Sequence, residues 1–215
     1  MDSTKPDWDS RKDILVAVAK STCYLGVWAY DEAQPTSGTA FFVTPDILLT
    51  AGHVVPDRKR RVIVQKPGTR EAALLVDDLF CENQGLETFE CELLESGAPN
   101  VDISVLRVKG EYKSPHFVSI ATTVFRKNGS VDLIGYPGTY STEYVARMMR
   151  QTGANRSALV GVPSLFPHCK LIISYGKVAE EGHRPTYHLS TVPGMSGSPI
   201  VLAGHVVGEI FNGIS

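Results

Sequence analysis

The sequence predicts an all-β protein whose strands fall into two groups, and three observations carry that prediction. Short apolar runs recur along the chain while helical periodicity is scarce. Glycine, proline, asparagine and aspartate punctuate the runs at short intervals, which favours a sandwich or barrel over a sheet wound with helices. A division near Ser114 to Thr123 leaves strand groups of similar size on either side.

Taken in order, Asp9 to Ala19 places Ile14, Leu15, Val18 and Ala19 on one helical face and predicts a short N-terminal helix. Ser21 to Tyr30 reads as a strand and Asp31 to Ser37 as a polar turn. Gly38 to Val43 and Ile47 to Ala51 are strands joined by a turn at Pro45-Asp46. Val62 to Gln65, Ala72 to Val76 and Ile103 to Val108 complete the first group. The second group holds Ser130 to Ile134, Leu171 to Tyr175, Tyr187 to Leu189, Pro199 to Leu202 and Val206 to Ile210. Glu143 to Gln151 predicts a helical turn or two, followed by a polar, glycine-bearing segment up to Lys170.

The chain has 215 residues, ordinary for two β-barrels working as a single unit, and 43% of them are apolar, which is enough for a packed core. A net charge of −2 gives no electrostatic reason for a nucleic-acid partner. The run Arg58-Lys59-Arg60-Arg61 reads as a solvated loop. No apolar stretch approaches the roughly 20 residues of a membrane span. Residues 1–9 are polar and acidic and lack the pattern of a signal peptide, so a cytoplasmic setting is expected unless the sequence is a piece of a longer chain. Cys23, Cys81, Cys91 and Cys169 are scattered, which predicts reduced thiols and no metal site.

Three segments carry chemistry. Thr191-Val192-Pro193-Gly194-Met195-Ser196-Gly197-Ser198-Pro199 puts Ser196 on a glycine-flanked turn before a strand. A nucleophilic serine needs an exposed Oγ and backbone N–H groups aimed at the developing oxyanion, and Gly194 permits that backbone path. A plain turn between strands gives the same letters. Gly38 to Val55 is a strand, a turn and a strand that delivers His53 after Ala51-Gly52, as a rigidly held general base requires. The other five histidines, at 116, 168, 183, 188 and 205, read as loop residues. Asp102 heads the apolar strand Ile103 to Val108, where a carboxylate is costly unless paired, and a histidine N–H is a suitable partner. Asp77 and Asp78 are its rivals, and they lie close after His53 in sequence.

Together these segments resemble the trypsin-like serine peptidase superfamily, closest in pattern to its V8-like glutamyl endopeptidases and HtrA-like peptidase domains. Ile134-Gly135-Tyr136-Pro137-Gly138 and Tyr187-His188-Leu189-Ser190-Thr191 add to the likeness, which runs from about Ser21 to the last residue. The resemblance implies two six-stranded antiparallel Greek-key β-barrels with the active site in the cleft between them, plus the short N-terminal helix. It divides the chain into an N-terminal extension (1–20), a first barrel with His53 and Asp102 (21–118) and a second barrel with Ser196 (119–215), the last incomplete at its end. It implies a cofactor-free serine endopeptidase acting on protein or peptide substrates, with His53, Asp102 and Ser196 as the triad. Backbone N–H groups of Gly194 and Ser196 would form the oxyanion hole. Ser190 and Thr191 would line the substrate pocket, and Phe211, Asn212 and Gly213 would pair with the substrate backbone.

Three of the sequence's departures from relatives bear on activation, specificity and regulation. Met195 stands where trypsin has the aspartate that receives a freed N-terminus, so activation without that salt bridge is expected. Val207 to Gly213 lacks the histidine that glutamyl endopeptidases use to read glutamate, so that preference is not expected. The segment 139–175 is longer than in compact relatives and is the expected place for a regulatory domain or partner to act. The alternative function is a latent or inactive domain of the same fold serving as a binding or regulatory module. An α/β-hydrolase is excluded by pattern, because Ser198 stands where its G-x-S-x-G elbow needs glycine and His53 precedes the serine. Cys169 beside His168 does not make a nucleophile–base pair, since adjacent residues of an extended chain point opposite ways.

Overall fold

In a computed structural model of the chain, residues 8–29, 36–65, 87–97, 101–122, 125–138, 171–181, 185–189, 191, 194–202 and 205–209 are described. Helix α1 (Trp8–Ser21) opens the fold. Its apolar stripe buries Leu15 and Val18 against Phe41, Ile134, Val201 and Val206, a set drawn from both groups of strands. Lys20 in the last turn complements the negative end of the helix dipole. The hydroxyls of Ser21 and Thr22 both donate to the Val18 carbonyl, at 2.7 and 2.8 Å, satisfying an end group as the chain passes straight into the first strand.

Strands β1 (Thr22–Trp28), β2 (Thr36–Phe42), β3 (Ile47–Ala51), β4 (Arg61–Gln65), β5 (Thr88–Ser96) and β6 (Ile103–Val108) form a closed antiparallel barrel in the order β1-β2-β3-β6-β5-β4. Alternation explains its filling: Cys23, Leu25 and Val27 of β1 join Ala40, Phe42, Leu48, Val64, Phe89 and Leu106 in one core. Between them Tyr24 packs outward on Ile63 and meets Tyr136 edge-on, ring centroids 6.1 Å apart. Cys23 and Cys91 are free thiols, and burial pushes both well above the ordinary range for cysteine.

Strands β7 (Ser130–Gly135), β8 (Ile172–Glu180), β9 (Thr186–His188), β10 (Pro199–Leu202) and β11 (His205–Glu209) form a five-stranded antiparallel sheet in the order β11-β10-β7-β8-β9. Val131, Leu133, Val178, Met195, Ile200 and Leu202 make its core. Asp132 is buried in the middle of apolar β7, and α1 supplies its partner. Arg11 donates from Nε to Asp132 Oδ2 at 2.9 Å and pairs through Nη2 with Oδ1, while its guanidinium lies 5.6 Å from the centre of the Tyr175 ring. Removing one partner of such a pair strands a buried charge. Arg11→Met is therefore expected to lower stability by about 3 kcal/mol in urea unfolding, with much of the loss recovered in the Arg11→Met/Asp132→Leu double variant.

The described strands agree with most of the sequence expectations, and two points differ in detail. Among the described residues a strand the sequence did not mark, Thr88–Ser96, lies between β4 and β6, with Phe89, Cys91 and Leu93 alternating inward; the expected strand Ala72 to Val76 lies outside the described residues. Of the two expected barrels, one closes; the second sheet has five strands among the described residues and does not close. The expected helical turns at Glu143 to Gln151 also lie outside the described residues. Among the described residues no helix is long and apolar enough to cross a membrane, and no cluster of histidine, cysteine and carboxylate side chains could hold a metal ion.

Candidate active site

The position of His53 follows from strand register. β3 pairs with β6 so that Ala51 faces Ile103, which brings Gly52 and His53 beside Asp102. Three hydrogen bonds then fix the pair. The Gly52 N–H donates to the Asp102 carbonyl at 2.9 Å, the His53 N–H to Asp102 Oδ1 at 2.6 Å, and His53 Nδ1 meets Oδ2 at 2.6 Å. One carboxylate thus accepts from both the backbone and the ring of one histidine. That sets the ring orientation, with Nδ1 turned to the carboxylate and Nε2 turned away from it. Ser104 Oγ donates to the Val55 carbonyl at 2.9 Å and steadies the loop beyond His53.

Ser196 sits in a turn just before β10. Gly194 and Gly197 flank it at φ values of 92° and 84°, a region that side chains other than glycine rarely adopt. The Ser198 N–H donates to the Met195 carbonyl at 3.0 Å and closes the turn. Met195 points away from solvent into the apolar core of the second sheet. The turn is held against the first barrel through β2: the Thr39 N–H donates to the Ser196 carbonyl at 2.8 Å, and Thr39 Oγ1 donates to the Gly194 carbonyl at 3.0 Å. A Cβ on Gly38 would lie 2.7 Å from Val54 Cγ1 and 3.5 Å from the Ser196 carbonyl oxygen, so the histidine loop and the serine turn meet over this glycine. Among the described residues no hydrogen bond joins Ser196 to His53.

Of the residues expected to form the site, His53 and Asp102 are joined directly, and Gly194 and Ser196 share one turn that reaches the same barrel edge. Thr191 is exposed ahead of the turn. Ser190, Phe211, Asn212 and Gly213 lie outside the described residues, as does 139–170 of the long segment. Thr39 was not expected in the site. Its signal was a hydroxyl inside the apolar run Gly38 to Val43, which has to find partners when buried.

Residues 38–208 match the family described as trypsin-like peptidase domain. No curated protein sequence matches the chain. Among solved structures, Deg5 superposes with a TM-score of 0.61 at 14% identity, covering 97% of this chain and 87% of that one. The Rv3671c protease in an inactive form gives 0.58 at 18% identity, covering 95% and 83%. A serine-to-alanine mutant of Rv3671c from M. tuberculosis H37Rv, also an inactive form, gives 0.57 at 18% identity, covering 98% and 83%. The matched segment runs from within β2 through β3 to β10 and most of β11, and with it takes in His53, Asp102 and the Ser196 turn, so the chain belongs to the trypsin-like peptidase domain family.

Proposed function

We propose that the chain is a serine endopeptidase, with Ser196 as nucleophile, His53 as general base and acid, and Asp102 as the group that orients His53. The observation that carries this reading is the double grip of Asp102 on the His53 backbone and ring, next to a glycine-flanked serine turn. In this reading the five-stranded sheet belongs to the second of two barrels, with the division near residues 118–119. Ser196 Oγ attacks the scissile carbonyl while His53 Nε2 takes the hydroxyl proton. The Gly194 and Ser196 N–H groups bind the tetrahedral oxyanion. His53 then gives its proton to the leaving amine, and water releases the acyl group by the same steps in reverse. Thr191 and Ser190 would line the pocket for the residue before the cut bond, and Phe211 to Gly213 would pair with the substrate backbone. Burial of Met195 in an apolar core supports activity without an aspartate–N-terminus salt bridge.

One observation favours the second reading, a latent or inactive domain: Ser196 is only 3% exposed, where an attacking hydroxyl needs access. Ser196 also has no hydrogen bond to His53 among the described residues. Catalytic hydrogen bonds often tighten only when substrate binds, so that gap fits both readings. Labelling of the purified chain by a fluorophosphonate separates them. An active enzyme transfers the phosphonyl group to Ser196 with loss of fluoride, and labelling disappears in Ser196→Ala and His53→Ala. A folded wild type that takes no label is the result expected of the latent module.

A further inference from the structure

We propose that Thr39 is a positioning residue that sets the geometry of the oxyanion-binding turn from the opposite barrel, an inference that rests on the serine endopeptidase reading. Thr39 is completely buried and makes four polar contacts. Its N–H donates to the Ser196 carbonyl at 2.8 Å and its hydroxyl to the Gly194 carbonyl at 3.0 Å. The same hydroxyl accepts the Tyr136 N–H at 3.0 Å, and the Thr39 carbonyl accepts the Thr50 hydroxyl at 2.8 Å. One residue of β2 is therefore tied to the serine turn, to the end of β7 and to β3.

The geometry explains why this matters for chemistry. A peptide unit is planar, so fixing its carbonyl fixes its N–H. Thr39 pins the units 194–195 and 196–197, and the Ser198 N–H pins the carbonyl of the unit between them at 3.0 Å. That middle unit carries the Ser196 N–H. Gly194 and Gly197 both lie at positive φ, where glycine has wide conformational freedom, so the turn needs restraint from outside itself. The backbone bond from Thr39 survives any substitution at that position. The hydroxyl bond to Gly194 is the part the side chain adds.

Thr39→Val keeps the shape and the backbone bond and removes only the hydroxyl's two partners. Its reaction with a fluorophosphonate should slow roughly tenfold to a hundredfold relative to wild type, the range expected when oxyanion donors are displaced but present. Thr39→Ser, which restores the hydroxyl, should react within about threefold of wild type. The pH at which labelling is half-maximal should stay unchanged in both, because the Asp102–His53 pair is not touched. A purely structural role would lower the melting temperature while leaving the labelling rate of the folded protein as it was. If Thr39→Val does not fold, Thr39→Ser is compared with Thr39→Cys, which has similar shape and a weak donor; a gap of about tenfold supports the proposal and parity overturns it. Wild-type labelling with an equally reactive Thr39→Val, or a Thr39→Ser as slow as Thr39→Val, overturns this inference alone. A folded wild type that takes no label overturns the endopeptidase reading and this inference with it.

Discussion

Asp102→Asn is expected to slow fluorophosphonate labelling of Ser196 about ten-thousandfold while leaving the fold almost as stable as before. The asparagine has one acceptor oxygen where the carboxylate has two, and its other atom is a donor. The His53 N–H and the Nδ1–H both claim an acceptor at 2.6 Å. If the amide oxygen serves the backbone N–H, the amide nitrogen faces Nδ1 and forces the ring proton onto Nε2. In the proposed mechanism the base is then blocked at the nitrogen that would receive the serine proton. If the amide turns the other way, the donor confronts the backbone N–H and the loop shifts. Stability moves little because His53 and Asp102 side chains are 41% and 35% exposed, so water screens the pair and its contribution is at most about 1 kcal/mol. Labelling rate and thermal unfolding measured on one preparation check the two halves. A variant that labels within tenfold of wild type would remove Asp102 from the mechanism.

The fold class was legible because barrel strands alternate in a way a sequence shows: β3, β6 and β10 have the expected bounds, and α1 covers the stretch its apolar stripe marked. Strand β5 was missed although Phe89, Cys91 and Leu93 alternate with Glu90 and Glu92. The glutamates on its solvent face lowered the apolar density that marks the other strands. Closure of a sheet depends on hydrogen bonding between distant strands, as between β1 and β4, and no local pattern encodes it.

The candidate site was legible for a different reason. A carboxylate heading an apolar strand must be paired, and that argument reached Asp102 together with its partner because His53 lies at a strand end whose register the topology fixes. The same argument applies to Asp132, inside apolar β7, yet its partner Arg11 sits 121 residues away on a helix whose polar face marks no target. Thr39 was unreadable in the same sense. Its hydroxyl signalled a need for partners, but those partners come from two later segments that meet only once both sheets are in place.

Gly197→Ala should cost about 4 kcal/mol, lower the melting temperature by roughly 10 °C and slow labelling of Ser196 at least about a hundredfold. Two effects combine here. At φ 84° an alanine pays the left-handed backbone penalty, about 1–2 kcal/mol. Its Cβ would also run into the Thr39 carbonyl oxygen and approach Thr50 Oγ1 to 2.5 Å and the Ala51 nitrogen to 2.9 Å. None of these can yield cheaply, since Thr50 Oγ1 and the Thr39 carbonyl are already bonded to each other in a buried junction. The turn must therefore back away from β2, and the 2.8 Å bond from the Thr39 N–H to the Ser196 carbonyl breaks with it. Gly110 supplies the control, with φ 89° and open space around a Cβ. Gly110→Ala carries the backbone penalty alone, so it should lower the melting temperature by only about 3–5 °C and leave labelling unchanged. If the two alanine variants melt alike and both label at the wild-type rate, the contact between the serine turn and the first barrel does not set the reactivity of Ser196. If they diverge as expected, the nucleophile owes its position to the barrel that carries its base.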